Sequence, residues 1–511
     1  MAAAAMTLGQ ALDETASRHS DRPFLLFRDE VYSYRSVAAL TDRLAAGLLA
    51  LGLRKGDFLA LWLPNRLEFA FSYFAAAKAG LVLVPINTFF KGEELAYLLA
   101  DSGAKAIITC QDFLPVLEQV RPRVPNLEQV ITVERGWKEV MRLGGSEPEV
   151  SFKSRVRPGD VASCLYTSGT TGEPKGALLT HHNLTWDANA CTKALPLSAQ
   201  DRLLCVLPLF HSFAQTICLA LPTLFGGSTL LLDRFSPAAV LQALAQGGVT
   251  VFPGVPAIFA ALLQVPAADR PPHPALRFCV SGAAPLPPEV MQAFEKEYRT
   301  LLLEGDGPTE CSPVTCVNPY QGPRKPGSVG LPLPGVEIRI FDEEDRELPP
   351  GEVGEVVVRG ENVMLGYHNR PEETAQALRG GWFHTGDLGR FDEGGYLYLV
   401  DRKKDMIIVG GLKVYPREVE LALLSHPAVA EAAVVGVPDQ ARGELPAAFV
   451  ALREGKTATA KELTRYCRER LANFKVPRAV YLLDSLPKTG TGKTRKQDLK
   501  PSEPASERPE R

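Results

Sequence analysis

The stretch Tyr166-Thr167-Ser168-Gly169-Thr170-Thr171-Gly172-Glu173-Pro174-Lys175-Gly176 concentrates hydroxyl side chains, glycines and one lysine in eleven residues. Glycines let such a loop turn tightly and bring backbone N–H groups and hydroxyls onto a phosphate chain. The lysine adds a mobile point charge suited to pyrophosphate oxygens. Gly, Ser, Thr and Pro also cluster in surface turns, so composition alone leaves both readings standing. The loop is not a P-loop: Lys175 follows Pro174, and the G-x-x-x-x-G-K-[ST] template fails. It fails again at Pro487-Lys488-Thr489-Gly490-Thr491-Gly492-Lys493, where position 487 is proline and a flexible basic loop is the plain alternative. Three other stretches set polar groups beside glycines or aromatics. They are Leu303-Glu304-Gly305-Asp306-Gly307-Pro308-Thr309-Glu310, Thr385-Gly386-Asp387 and Pro208-Leu209-Phe210-His211-Ser212-Phe213. Taken singly, a loop glutamate is most often solvated, an aspartate after glycine structural, and a histidine between aromatics packed and neutral.

A phosphate loop needs a rigid element before it. Val161 to Tyr166 reads as a short buried strand, so the loop sits at a strand end, where α/β folds bind ligands. The preceding chain supplies a framework. Helices are expected over 35–52, 67–80 and 93–102, and strands over 58–63, 81–85 and 106–109. That alternation predicts a parallel sheet. A second α/β half follows the loop, with helices over 183–194, 237–246 and 287–299 and strands over 203–208, 249–253 and 276–281. From Gly327 short strands at 337–341, 355–359 and 396–400 predict a small β-barrel-like subdomain. The charged junction Asp401-Arg402-Lys403-Lys404-Asp405 marks the expected boundary. The expected class is therefore α/β: a large N-terminal domain over 1–400, made of two α/β subdomains and the β-barrel-like one, then a small α+β C-terminal domain over 401–500. The latter takes helices 417–424 and 459–471 and strands 429–437 and 447–452. The tail 501–511 has no apolar face and is expected to be disordered.

Composition narrows the function classes. A chain of 511 residues that is 45% hydrophobic can bury several cores. A net charge of −3 offers no basic footprint for nucleic acid. Nine cysteines without a CxxC pair argue for reduced thiols in a cytoplasmic setting, against a disulfide framework or a zinc site. No signal peptide is expected, since Asp13, Glu14 and Arg18 soon follow the alanine-rich opening. No apolar run reaches a membrane span; Phe58 to Phe74 is broken by Pro64, Asn65, Arg66 and Glu68. A soluble protein is expected, with peripheral contact to a membrane carrying apolar substrate, and a homodimer, left open.

Taken together, the motifs resemble those of the adenylate-forming (AMP-binding) superfamily over nearly the whole chain. That family contains acyl-CoA synthetases, luciferases and peptide-synthetase adenylation domains. The resemblance implies that Thr167, Ser168, Gly169, Thr170, Thr171, Gly172 and Lys175 hold the ATP phosphates. It implies that Glu310 helps hold Mg²⁺ with Thr170 as hydroxyl ligand, and that Thr309 lies near the α-phosphate. One carboxylate, one hydroxyl, phosphates and water suit that ion. Gly282, Ala283 and Ala284, in Ser281-Gly282-Ala283-Ala284-Pro285-Leu286, would pack beside the adenine and the acyl group, and Gly305, Asp306 and Gly307 would also meet the nucleotide. The family usually has at position 306 an aromatic ring that stacks on adenine. Asp306 cannot stack, but it could accept a hydrogen bond from the adenine amino group or ribose. Asp387 would accept from the ribose hydroxyls, and Arg402 would donate to ribose or phosphate. His211 would position the substrate carboxylate. Lys493, with His211 and Glu310 the implied catalytic set, would bridge carboxylate and α-phosphate during adenylation only. The stretch from Asp401 to Glu420 matches the family's hinge and the loop after it. Asp401 would be the pivot of a mobile C-terminal domain that brings Gly410 and Gly411, with Lys413 beside them, to the thioester step.

The implied reaction joins a carboxylic acid to ATP, releasing pyrophosphate, and then moves the acyl group from AMP to coenzyme A. Two anions must be held in line and their charge neutralised, which calls for cations, hydroxyl or amide donors and magnesium. Trp186, Phe210, Phe213, Phe252 and Val255, with Ala284, could line an apolar acyl pocket, although aromatics at strand ends are more often core. The flanking sequence looks most like medium- and long-chain fatty acyl-CoA synthetases. Alternatives are an aryl acid as substrate, a separate carrier protein as acceptor, or a non-catalytic nucleotide- or acyl-binding relative. Asp306 speaks for the last; Lys175, Glu310, Asp387, Arg402 and Lys493 together speak against it.

Overall fold

A computed structural model of the chain describes residues 5–146, 150–168, 173–410, 412–439, 442–488 and 494–500. Gly169, Thr170, Thr171, Gly172, Gly411, Lys493 and the tail 501–511 lie outside the described residues. The chain divides into two compact units. The first runs to Ile338 and takes in Val357–His384 and Gly394–Leu397; the second holds Arg339–Val356, Thr385–Glu393 and the chain from Tyr398.

Two large sheets build the first unit. One has seven strands, in the order Gly366–Tyr367, Pro174–Thr180, Val161–Ser168, Val82–Pro85, Phe58–Trp62, Ala106–Thr109, Gln129–Thr132. Its pairs from Val161–Ser168 to Gln129–Thr132 are parallel, as the helix–strand alternation predicts. The other has nine strands and a parallel centre from Leu301–Asp306 through Phe278–Ser281, Val251–Gly254, Arg202–Cys205 and Ser228–Leu231 to Pro23–Phe27. Parallel strands are covered on both faces and so read as continuous apolar runs. Helix Leu67–Ala79 shows the same logic, since all its residues except Glu68 are buried. It stops at Gly80, whose left-handed φ of 73° a side chain would disfavour. Helix Leu8–Arg18 was not among the expected elements, although Thr7 and Gln10 form a reciprocal cap at its start.

The loop after Val161–Ser168 returns antiparallel along Pro174–Thr180, with Thr167 opposite Lys175 and Ser168 opposite Pro174. The described stems of the phosphate-loop candidate are therefore the facing ends of two antiparallel strands.

The short strands expected to make a β-barrel-like subdomain form an open sheet instead, in the order Glu337–Phe341, Gly354–Arg359, Phe383–Phe391, Leu397–Arg402. With so few strands the sheet cannot curl far enough to pair its edges. The Asp401–Asp405 junction starts in the last two residues of strand Leu397–Arg402 and continues as the short helical turn Lys403–Asp405. In the second unit, Val429–Asp439 pairs with Gly443–Leu452, which also pairs with Ile407–Val409 and, in parallel, Ala479–Leu483. Val419 and Leu423 of helix Pro416–Leu424 and Leu463 of helix Ala460–Arg468 share its core with Val434 and Val450.

Candidate functional site

Strand Leu301–Asp306 leads into the turn that carries Glu310. Gly307 permits that turn: a Cβ there would lie 1.9 Å from the Pro313 carbonyl oxygen. The Glu310 side chain is buried, at 9% exposure. Its Oε1 accepts hydrogen bonds from the Thr167 hydroxyl and the Tyr367 hydroxyl, each at 3.0 Å. Its main-chain carbonyl accepts from the Met364 N–H at 2.7 Å. Burial and the Glu310 carboxylate push the Tyr367 phenol far above its usual range, so it stays a donor. Lys175 Nζ stands 5.6 Å from the centre of the Tyr367 ring, within cation–π reach. The structure thus gathers Thr167, Lys175 and Glu310 around Tyr367, a residue that the sequence reading missed. It lies in a two-residue strand with no motif of its own, and only its tertiary contacts distinguish it.

A second approach comes from the His211 segment. His211 caps the short helix Ser212–Ala214, its Nδ1 accepting the Phe213 N–H at 3.2 Å. In the neutral ring this leaves the proton on Nε2. The Ser212 and Thr309 hydroxyls lie 3.3 Å apart. The helix continues as a π turn, Gln215–Ala220, a feature that recurs at functional sites. From that turn the Thr216 hydroxyl donates to the Ser312 carbonyl at 2.8 Å. Asn65 fixes the approach by accepting from the Leu209 N–H and donating to the Leu207 carbonyl.

The turn after strand Phe278–Ser281 completes the group. Ala283 has a left-handed φ of 66°. A Cβ on Gly282 would meet the Phe213 ring at 3.3 Å and the Gly305 carbonyl at 3.4 Å, so these three residues converge. Asp306 closes its strand, its carbonyl accepting the Thr315 N–H at 2.9 Å. The proposed acyl-pocket residues divide. Phe213 joins Gly282, Trp186 stands against Gly335, and Phe252 is fully buried with its ring centre 5.5 Å from that of Phe259. Phe210, Val255 and Ala284 are half-buried.

In the second unit Arg402 Nε lies 3.1 Å from Asp387 Oδ1. Asp401 accepts the N–H groups of Arg417 at 2.6 Å and Arg402 at 2.8 Å, and burial raises its carboxyl pKa. Gly410 takes a left-handed φ of 58° with open space where a Cβ would stand. Lys413 pairs with Glu343 at 2.7 Å on the surface.

Glu310 offers hard oxygen ligation, and with Thr167 and Tyr367 both on Oε1 its second carboxylate oxygen suits a small divalent cation such as Mg²⁺. Among the described residues no cluster of three or more His, Cys, Asp or Glu could hold an ion unaided. An ion here would draw its other ligands from phosphate and water.

Comparison with known proteins agrees across the chain. The family described as AMP-binding enzyme matches residues 12–368, and the AMP-binding enzyme C-terminal domain matches residues 418–493. The chain is 37% identical over 525 residues to a long-chain-fatty-acid–CoA ligase of Bacillus subtilis (strain 168), covering 96% of this chain and 94% of that one. It is 38% identical over 474 residues to a feruloyl-CoA synthase of Amycolatopsis sp, covering 92% and 93%. Its fold matches the crystal structure of ATP-bound MatB from Rhodopseudomonas palustris with a TM-score of 0.90 at 32% identity, covering 96% and 98%.

Proposed function

Because the chain belongs to the AMP-binding enzyme family, we propose that it is an AMP-forming acid–CoA ligase acting on medium- and long-chain fatty acids. The acid and ATP give acyl-AMP and pyrophosphate; coenzyme A then gives the thioester and AMP. The observation that carries this reading is the hydrogen bond joining Thr167 to Glu310, residues 143 positions apart. It sets the hydroxyl of one nucleotide motif on the carboxylate of the other.

In this mechanism the stems of the Tyr166–Gly176 loop, through Thr167 and Lys175, hold the ATP phosphates. Ser168, Gly169, Thr170, Thr171 and Gly172 belong to the same loop. Glu310 and Thr170 would hold Mg²⁺, which when bound neutralises phosphate charge. Thr309 and His211 position the α-phosphate and the carboxylate; Lys493 bridges the two during adenylation. Gly282, Ala283, Gly305, Asp306 and Gly307 flank the adenine, and Asp387 with Arg402 takes the ribose. Asp401, Gly410, Gly411 and Lys413 serve the thioester step. A reducing cytoplasmic compartment belongs to this proposal, in keeping with nine cysteines that are all free and buried. No helix among the described residues is long and apolar enough to cross a membrane.

The test is AMP release over acids from acetate through palmitate to coumarate, each with and without CoA. CoA-dependent AMP with the longer aliphatic acids is expected. The similarity to a feruloyl-CoA synthase favours an aryl acid as the second reading, and turnover of coumarate alone would replace the first. Pyrophosphate exchange without CoA turnover would point to a carrier-protein acceptor.

A further inference from the structure

The stem of the Tyr166–Gly176 loop is gripped from outside by three side chains, Tyr97, Asp101 and Arg370, that the proposed reaction leaves unassigned. On the entry strand the Tyr166 hydroxyl donates to Asp101 Oδ2 at 2.7 Å. On the return strand the Pro174 carbonyl accepts from the Tyr97 hydroxyl at 2.9 Å. Tyr97 and Asp101 stand at i and i+4 on helix Gly92–Ser102, hence on one face. Arg370 closes the group, its Nη2 donating to Asp101 Oδ1 at 3.3 Å and to the Tyr97 hydroxyl at 3.2 Å. The Arg370 segment is itself tied to the site. Three residues earlier Tyr367 meets Glu310, and the His368 N–H donates to the Gly176 carbonyl at 2.7 Å.

Tyr166 and Pro174 immediately precede Thr167 and Lys175, which face each other across the hairpin. Ladder bonds hold a hairpin's strands together but leave its tip free to swing with both of them. Anchoring both stems to one helix face removes that freedom before a ligand arrives, so binding does not have to order them. Asp101 is well placed for such an anchor. Its side chain is only 13% exposed, and its two oxygens take one phenol and one guanidinium, both charge-assisted bonds.

We propose that Asp101, with Tyr97, Tyr166 and Arg370, is the positioning unit that sets Thr167 and Lys175 for the ATP phosphates. This rests on the reading of the loop as the phosphate site.

The test uses the full-length protein and calorimetric titration of ATP without acid or CoA, followed by steady-state kinetics. Tyr166→Phe, which loses one hydrogen bond to a charged group, should weaken ATP binding about tenfold or more, and Asp101→Ala, which also releases Arg370, at least as much. The double variant should bind no more weakly than Asp101→Ala alone, because the Tyr166 hydroxyl acts through Asp101. The KM for acid, and kcat at saturating ATP, should stay within about twofold, the pattern of lost ground-state ATP binding. Unchanged ATP affinity in both single variants, additive losses, or an equal rise in the KM for acid would overturn the proposal. If Asp101→Ala does not fold, Tyr97→Phe keeps the ring and removes the hydroxyl that donates to the Pro174 carbonyl and accepts from Arg370. It should weaken ATP binding comparably, and unchanged affinity overturns the proposal. A wild type that binds ATP but forms no acyl-CoA would reject the ligase reading alone, and the ATP titrations would still decide this one. A wild type that binds no ATP rejects both.

Discussion

The Glu310 carboxylate is held in one orientation. Two hydroxyl donors from distant parts of the chain converge on one of its oxygens, so the carboxylate cannot rotate without losing both bonds. Tyr367 is the more telling donor, because its ring also lies near Lys175. Tyr367→Phe keeps the ring and removes only the hydroxyl. A hydrogen bond to a charged group is worth about 1.5–3 kcal/mol, so adenylation should fall about 10- to 100-fold with little change in thermal stability. Acid-dependent pyrophosphate exchange measures this. A rate within about twofold of wild type would mean that Thr167 alone orients the carboxylate.

At the scale of elements, helix His181–Ala194 binds the N-terminal helix to the sheet that carries the loop. His181, its first residue, is fully buried, and its Nδ1 accepts the Leu8 N–H at 3.4 Å. Burial pushes its pKa down to about 4, with Asp160 raising and Lys55 lowering it. The unfolded value is near 6.5, so the folded state binds fewer protons and the imidazole must stay neutral. Its contribution is therefore complete above about pH 6.5 and lost as pH falls from there toward 4. Linkage sets the loss at ~2 kcal/mol by pH 5. His181→Asn keeps an acceptor for Leu8 but does not titrate there, so its urea midpoint should fall less than that of wild type between pH 7.5 and 5. Parallel curves for the two proteins would mean that His181 does not govern this slope.

For the whole molecule, the proposed chemistry is divided between steps. Lys493 serves adenylation alone in this scheme, so Lys493→Ala should abolish acyl-AMP formation. Thioester formation from supplied acyl-AMP and CoA should remain within about threefold of wild type, because in this scheme the lysine has left the site before that step. Equal loss in both half-reactions would sink this division of labour.

Much of the framework was legible in the sequence because it is locally encoded. Apolar runs over 58–63, 81–85 and 106–109 correspond to Phe58–Trp62, Val82–Pro85 and Ala106–Thr109, and leucine spacing over 35–52 to helix Tyr34–Ala50. These signals need only neighbours in sequence: pleat or helix period, and a glycine to stop. The Thr7–Gln10 cap was equally local and could have revealed helix Leu8–Arg18. The barrel-like expectation went astray because strand period says nothing about how many strands pair or whether their edges meet. Motif strings likewise marked Thr167, Lys175 and Glu310 as chemistry-bearing residues. They could not say that Thr167 and Glu310 share a hydrogen bond, that Tyr367 is the second donor, or that Asp101 grips the stem of the loop. Those contacts join residues 57 to 143 positions apart, and no local spacing encodes them. Sequence by itself determined which residue types and which elements were present. Only the tertiary structure decided which of them meet, because strand order and register, not proximity along the chain, bring the polar groups together.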